Sequence, residues 1–176
     1  MAKYKAELLR VLGSGSNVLF QDESHFSKAI VPIYGYSKVG EPCFVTSNIR
    51  EPAHTLIFAF STSYEIFYKV YEGSMNKARM QWFLTEVPSL PMVMDNLQIH
   101  KSVITNGEKI FTPVAQPYAN PVEIVFSKLK HEFRQLNVAM PCADVKDLID
   151  LSISKLTTDD LDGAIKHVVD FVRMNY

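Results

Sequence analysis

Three carboxylates occupy comparable settings in this chain: Asp22 in Phe20-Gln21-Asp22-Glu23, Asp95 in Val93-Met94-Asp95-Asn96, and Glu123 in Asn120-Pro121-Val122-Glu123. The first two each follow an apolar run that reads as a buried strand, and the third opens a helix. A carboxylate at the end of a buried strand is costly unless positive charge compensates it. Three that converge point to a pair of divalent cations, because Mg2+ and Mn2+ accept hard oxygen ligands and leave positions for water and phosphate oxygens. That donor set suits phosphoryl transfer. Each acid also has a plainer reading: a turn hydrogen bond for Asp22 and Asp95, and a favourable place in the helix dipole for Glu123.

Other polar residues cluster around these three. Asn96 and His100 are placed to touch a substrate or orient a ligand, or else to cap a helix and close its end; His25 is open in the same way. Glu23 points to the opposite face of a continuing strand and is left out of the ligand set. Lys101, Lys128, Lys130, His131 and Arg134 could track a phosphate backbone, or form a solvated helix face. Trp82, beside Phe83 and near Met80, reads as core.

The elements that must hold these groups follow from periodicity. Leu8, Leu9, Val11 and Leu12 predict a helix over Lys3 to Leu12, stopped by Gly13-Ser14-Gly15-Ser16. A short strand is expected over Asn17 to Gln21. Further strands are expected at Ala29 to Ile33, Cys43 to Thr46, Thr55 to Ser61 and Glu65 to Tyr71, as an antiparallel meander. Asn76 to Glu86, capped by Ser74 or Asn76, is a helix crossing back to a buried strand at Leu90 to Met94, parallel to the first. Asn106-Gly107 marks a turn before a small strand at Ile110-Phe111. Pro121 suits the first turn of a helix reaching Leu136. Two more helices follow, Asp144 to Lys155 and Thr158 to about Met174. Strands, a crossover and then helices describe an α/β mixed sheet flanked by helices.

With 176 residues and 47% hydrophobic content the chain can bury one core, so residues 1–176 are expected as one domain with 137–176 as a helical extension packed on it. No run of about 18 apolar residues is present and Met1-Ala2-Lys3-Tyr4-Lys5 precedes no apolar signal region, so no membrane association is expected and the protein is expected to be soluble and intracellular. Cys43 and Cys142 are too few and too far apart for a disulfide framework or zinc site. A net charge of -1 weighs against tight stand-alone nucleic-acid binding, which draws its affinity from a basic excess. It leaves room for a nuclease site whose metals bring their own charge.

Four blocks carry a resemblance: Tyr34-Gly35-Tyr36-Ser37-Lys38-Val39-Gly40, Glu72-Gly73-Ser74-Met75-Asn76, Met94-Asp95-Asn96-Leu97-Gln98-Ile99-His100-Lys101-Ser102, and Asn120-Pro121-Val122-Glu123-Ile124-Val125-Phe126-Ser127-Lys128-Leu129-Lys130. In this order they resemble the catalytic domain of the DDE transposases of the Tc1/mariner and IS630 group, over about Asn17 to Lys130. The resemblance implies a ribonuclease H-like fold and DNA as partner. It implies catalytic carboxylates at Asp22, Asp95 and Glu123 holding two Mg2+ or Mn2+ ions, with Asn96, His100, Lys101, Lys128 and Lys130 as substrate contacts. A homodimer, a separate DNA-recognition protein and, in a eukaryotic host, a nuclear location are consistent with it.

The chain departs from the family pattern at Val114 and Ala115, which replace a usual Pro-Tyr. The 28-residue spacing from Asp95 to Glu123 is also short, which suggests a trimmed helix near Lys101 to Lys109. Only about 16 residues precede the first strand, so the family's helix-turn-helix domains are not expected here. Two other readings stay open: a domesticated, inactive binding or assembly module, and another ribonuclease H-like nuclease such as a junction resolvase.

Overall fold

The computed structural model describes residues 2–44 and 51–174. Its strands are β1 Leu19–Phe26, β2 His54–Ser61, β3 Ile66–Glu72, β4 Met92–Met94 and β5 Lys109–Phe111, and its helices α1 Ala2–Gly13, α2 Lys77–Glu86, α3 Gln98–Ser102, α4 Pro121–Ala139, α5 Val145–Ser154 and α6 Thr158–Met174. One sheet runs in the order β3-β2-β1-β4-β5. The first three strands pair antiparallel, while β4 lies parallel to β1 and β5 parallel to β4. The crossover helix, the parallel strands, the C-terminal helices and the Thr55–Ser61 and Glu65–Tyr71 arms of the expected meander are present.

Period-two alternation sorts the central strands into two covered faces. Phe20, Phe26, Leu56, Phe58 and Phe60 join residues of α1, α4, α5 and α6 in the larger apolar cluster. Leu19, Ile57 and Ala59 face Met80, Phe83 and Leu84 of α2. Each large side chain removed from water contributes roughly 1.5–3 kcal/mol. The tilted ring contacts of Phe20 with Phe60 (centroids 5.5 Å apart) and of Phe58 with Phe126 (6.1 Å) rest β1 and α4 on the same residues of β2. Leu148 and Ile149 of α5 and Leu161 and Val168 of α6 are buried in that same cluster.

Two strand expectations are corrected. Residues 29–33 form no strand. After Phe26 the chain turns, with Ile30 N–H donating to Ser27 O (3.0 Å), and the buried Asn137 amide of α4 captures the carbonyls of Lys28 and Ile30 at 3.0 and 3.1 Å. Pro32 brings no N–H for a ladder, and Ile33, Tyr34 and Tyr36 are exposed. The strand expected at Cys43 to Thr46 is absent at Cys43 and Phe44, and its remainder lies outside the described residues. Cys43 and Cys142 are both free.

Local chemistry sets the helix starts. Asn76 caps α2 by accepting Arg79 N–H at 2.9 Å. Thr157 and Asp160 form a reciprocal capping box on α6: Thr157 N–H donates to Asp160 Oδ2 (2.9 Å) and Asp160 N–H to Thr157 Oγ1 (3.3 Å). At the expected turn, a Cβ on Gly107 would sit 1.9 Å from the Leu90 carbonyl oxygen. That backbone leads into β4, and just before the strand Pro91 O accepts Leu19 N–H at 2.9 Å. Gly107→Ala is therefore expected to lower stability by on the order of 2 kcal/mol in urea unfolding. An unchanged midpoint would show that the turn relaxes without cost.

Candidate active site

β1 runs on past the end of β4. In the parallel register Leu19 lies beside Met92 and Phe20 beside Val93. Continuing by two residues brings Asp95 abreast of Asp22 just where β4 has ended. Crevices beyond the carboxyl ends of parallel strands are where open α/β sheets place their sites. Asp22 is thus in mid-strand rather than at the strand end expected. β2 pairs with β1 along its whole length, whereas β4 leaves it early.

Glu123 reaches the same place from α4. Asn120 caps that helix by accepting Val122 N–H (3.3 Å), and its side-chain amide donates to Gln21 O at 3.0 Å and Asp22 Oδ2 at 3.4 Å. Pro121, at the first helical position, needs no partner for its nitrogen. One buried amide therefore ties the start of α4 to β1 at Asp22. The sequence reading quoted Asn120 without giving it this role; the available signal was a capping residue directly before a proline and an acid.

Asp22, Asp95 and Glu123 line one cleft of about 500 Å3, which Glu23, His25 and Asn96 share. The rim between β5 and α4 includes Val114 and Ala115, and Ala115 sits in the left-handed region at φ 58°. Asp22 is only 9% exposed. Burial pushes its carboxyl up to about 7, and Glu23, Glu123 and Asp95 add like-charge repulsion against one bond from Glu23 N–H. For Glu123, burial and Asp95 raise the carboxyl, with Lys130 opposing. At Asp95 burial works in the same direction, but the bond and charge of His100 and the N–H of Leu97 outweigh it and hold that carboxyl below its usual range.

His100 is fully buried. Nε2 lies 3.0 Å from Glu23 Oε1, and Nδ1 contacts the Asp95 carboxylate. Burial would strip its proton, but the bonds to Asp95 and Glu23 hold it and push the imidazole up to about 10. The ring is a cation clamped between two acids, with no surface to offer a substrate. Of the two expectations for His100, contact with substrate and contact with a ligand residue, the structure places the ring against Asp95 and Glu23 and away from the surface.

Lys128 is paired within the protein. Its ammonium lies 2.5 Å from Asp160 on α6, a bond that pulls the Asp160 carboxyl down to about 2. Pairing across α4 and α6 makes it a strut between helices. Lys101 is exposed on a separate recess with Lys77 and Gln98. Lys130, two turns along α4 from Glu123, is close enough to act on its charge. Asn96 faces the cleft and caps no helix, since Leu97 is the N-cap of α3.

The donor set fits Mg2+ or Mn2+. It is made of hard carboxylate oxygens, and it is short of positive charge, as the raised carboxyls of Asp22 and Glu123 indicate. Among the described residues, no three His, Cys, Asp or Glu side chains stand close enough together to form a ready-made ion cluster. The three acids surround the cleft, with Asp95 turned to His100 and Asp22 to Asn120.

A mixed sheet of this order, with acids at the carboxyl end of its parallel strands and at the start of the next helix, is a ribonuclease H-like fold with an acidic cleft. The DDE superfamily endonuclease family matches residues 17–145, and the chain belongs to that family. No curated protein matched it. Among solved structures it is similar to the Mos1 transposase paired-end complex with left transposon end (TM-score 0.72, 16% identity, 97% of this chain and 58% of that chain). The Mos1 mariner paired end complex with Mn gives 0.71 and 15%, covering 97% and 59%. The corresponding complex with Mg gives 0.65 and 16%, covering 97% and 58%. At such identity the likeness is one of fold, and the chain spans less than two thirds of the Mos1 chains. Among the described residues no helix is long and apolar enough to cross a membrane.

Proposed function

We propose that this chain is a divalent-metal-dependent DNA endonuclease or strand transferase of the transposase or integrase type, in which Asp22, Asp95 and Glu123 hold two Mg2+ or Mn2+ ions. The observation that carries the reading is the meeting of carboxylates from β1, the end of β4 and the first turn of α4 in one cleft. Family membership, and neighbours that are transposase complexes with a transposon end, with Mn and with Mg, support DNA as substrate and these ions as cofactors. When bound, the ions supply the Lewis acidity that activates an attacking hydroxyl and steadies the leaving oxygen. The protein supplies position: the His100 cation aims Asp95, Asn120 fixes the approach of α4, and Asn96 meets the substrate. Lys101 and Lys130 contribute positive charge toward phosphates. Residues 1–176 act as one catalytic unit with 137–176 as its helical extension, a division supported by the shared core of α4, α5 and α6. The net charge of -1 favours a homodimer or a separate recognition protein supplying DNA affinity.

The test is cleavage of linear and branched DNA with Mn2+ or Mg2+. Asp95→Ala is expected to lower the rate by about 10²- to 10³-fold or more. Undiminished cleavage by that variant would reject the assignment. A preference for four-way junctions or RNA/DNA hybrids would instead favour a resolvase-like or hybrid nuclease.

A second reading, an inactive binding or assembly module, is favoured by the protein partners already held by Asp22 and Asp95. Calorimetric titration separates the two. Saturable Mn2+ binding lost in Asp22→Ala favours the enzyme, and no binding at millimolar Mn2+ favours the module.

A further inference from the structure

Helix α3, which follows Asp95, has five residues, and His100 is the buried one among them. A helix of little more than one turn does not hold itself together in water, so its backbone ends need partners from elsewhere. At its start, Asp95 Oδ1 accepts Leu97 N–H at 3.1 Å. At its end, the half-buried ammonium of Lys109 on β5 donates to the carbonyls of His100 (3.1 Å) and Val103 and, at 3.5 Å, more loosely to that of Lys101. Strand alternation puts it there: Phe111, two residues on, packs in the cluster with Met92, Met94 and Val103, while Ile110 joins the other cluster. A cation at the carbonyl end of a helix is also favoured by the helix dipole. Lys128 and Lys155 meet carboxylates, whereas Lys109 has no carboxylate partner among the described residues. The short spacing between Asp95 and Glu123 leaves α3 no further turn to satisfy its last carbonyls, and Lys109 takes that place.

We propose that Lys109 is a positioning residue for the metal site, an inference that rests on the nuclease reading above and deepens it. It touches neither substrate nor cation. It fixes the backbone of α3 at His100, whose ring reaches the Asp95 carboxylate with Nδ1 and Glu23 Oε1 with Nε2 at 3.0 Å. The line of contact runs from Lys109 Nζ to His100 O, and from the His100 ring to Asp95. Backbone and ring of one residue are thus held by different strands, β5 and β1, and Asp95 is aimed by the residue between them. Without the ammonium the last carbonyls of α3 turn to water, α3 loosens, and Asp95 keeps its charge but loses its fixed direction. A second support lies close by and does not share this line. Gln81 of α2 holds Ile104, accepting its N–H at 2.7 Å and donating to its carbonyl at 2.9 Å. Ile104 lies beyond the end of α3, so Gln81 steadies the connection to β5 without holding His100.

The experiment is calorimetric titration with Mn2+, together with single-turnover DNA cleavage across Mn2+ concentration, for the unaltered chain, Lys109→Met, Lys109→Arg and Gln81→Met near neutral pH. Lys109→Met keeps the length of the side chain without its donors. It is expected to weaken Mn2+ binding by about 10-fold and to raise the Mn2+ needed for half-maximal cleavage by the same factor. Its rate at saturating Mn2+ is expected to stay within about threefold of the unaltered chain, a split that general damage to the fold does not produce. Lys109→Arg, which keeps charge and donors, is expected to restore most of the affinity. Gln81→Met is expected to leave Mn2+ affinity within about twofold, and Lys109→Met added to His100→Gln is expected to cost less than about twofold more, because both act along one line. Affinity of Lys109→Met within about twofold of the unaltered chain, or full addition of its loss to that of His100→Gln, would overturn the inference. So would a rate that saturating Mn2+ does not recover, no rescue by arginine, or an equal loss in Gln81→Met, which marks general loosening. Should Lys109→Met fail to fold, Lys109→Gln, with a neutral donor, is expected to bind Mn2+ more weakly than the unaltered chain, and equal affinity would overturn the inference. An unaltered chain that binds no Mn2+ would overturn the metal reading and this inference together; binding that Lys109→Met leaves intact overturns this inference alone.

Discussion

In metal-free buffer near pH 8, Asp22→Asn is expected to melt at a higher temperature than the unaltered chain, while with Mn2+ present its cleavage rate is expected to be lower by about 10²- to 10³-fold or more. The carboxyl of Asp22 is pushed from its ordinary 3.8 up to about 7, first by burial and then by Glu23, Glu123 and Asp95. A group whose folded value lies above its unfolded value holds its proton more tightly when folded. The fold's full stability is therefore present below about 3.8 and is eroded as pH rises through about 7. At about 1.4 kcal/mol per pH unit of displacement, an ionised Asp22 costs the fold on the order of 4 kcal/mol. An amide removes that cost, but it sets an NH2 group near the Asn120 donor, so a net gain of about 2 kcal/mol, or roughly 4–8 °C, is the expectation. The two proteins should converge as pH falls below about 3.8, where Asp22 becomes neutral in both states. Millimolar Mn2+ should reverse the order at pH 8, because a cation bound to the folded state stabilises the unaltered chain and has lost a ligand in the variant. Scanning calorimetry with chelator and with Mn2+ reads both effects. A variant that melts below the unaltered chain in chelator would show that the charge of Asp22 is already compensated within the protein.

The same electrostatics explain what was legible in the sequence. Asp22, Asp95 and Glu123 could be singled out because each sits at a boundary, where an apolar run or a proline meets an acid, and periodicity fixes such boundaries. Their meeting in one cleft depends on the offset between β1 and β4, and the register at Leu19 and Phe20 is not written in either strand alone. Asp22 was therefore expected at a strand's end although β1 continues to Phe26. The apolar stretch 29–33 misled because composition alone does not supply a ladder partner; its carbonyls went to Asn137, a residue more than 100 positions away. The protein partners of Lys128 and His100 went unseen for a related reason. A charged side chain on a helix reads as free until its partner on another element is known, and Asp160 and Glu23 lie far off in sequence. Glu23 was rightly assigned to the opposite face from Asp22, and that is the face from which it reaches His100.

Replacement of His100 by alanine is expected to be the most damaging single change to stability near this cleft. The ring is fully buried, with one nitrogen on Glu23 and the other on Asp95. Removing it leaves two carboxylates facing a void, and breaking a buried pair in this way costs about 3–5 kcal/mol. The sign of the pH dependence follows from the raised value: the ring moves from 6.5 in the unfolded chain to about 10 in the fold. Its contribution is fully present below about 6.5 and is lost as pH rises through about 10, so urea unfolding should show the largest gap between the two proteins at or below neutrality and a narrowing gap in alkaline buffer. Asp95 loses the group that aims it, and weakening of Mn2+ binding by about 10- to 100-fold is expected, as for other residues that orient a ligand from behind. His100→Gln, which keeps a donor for one of the two acids, should fall between alanine and histidine in both measurements. A His100→Ala protein with unchanged unfolding midpoint and Mn2+ affinity would mean that Glu23 and Asp95 find other donors, and that the imidazolium neither holds the end of β4 in place nor prepares Asp95 for a cation.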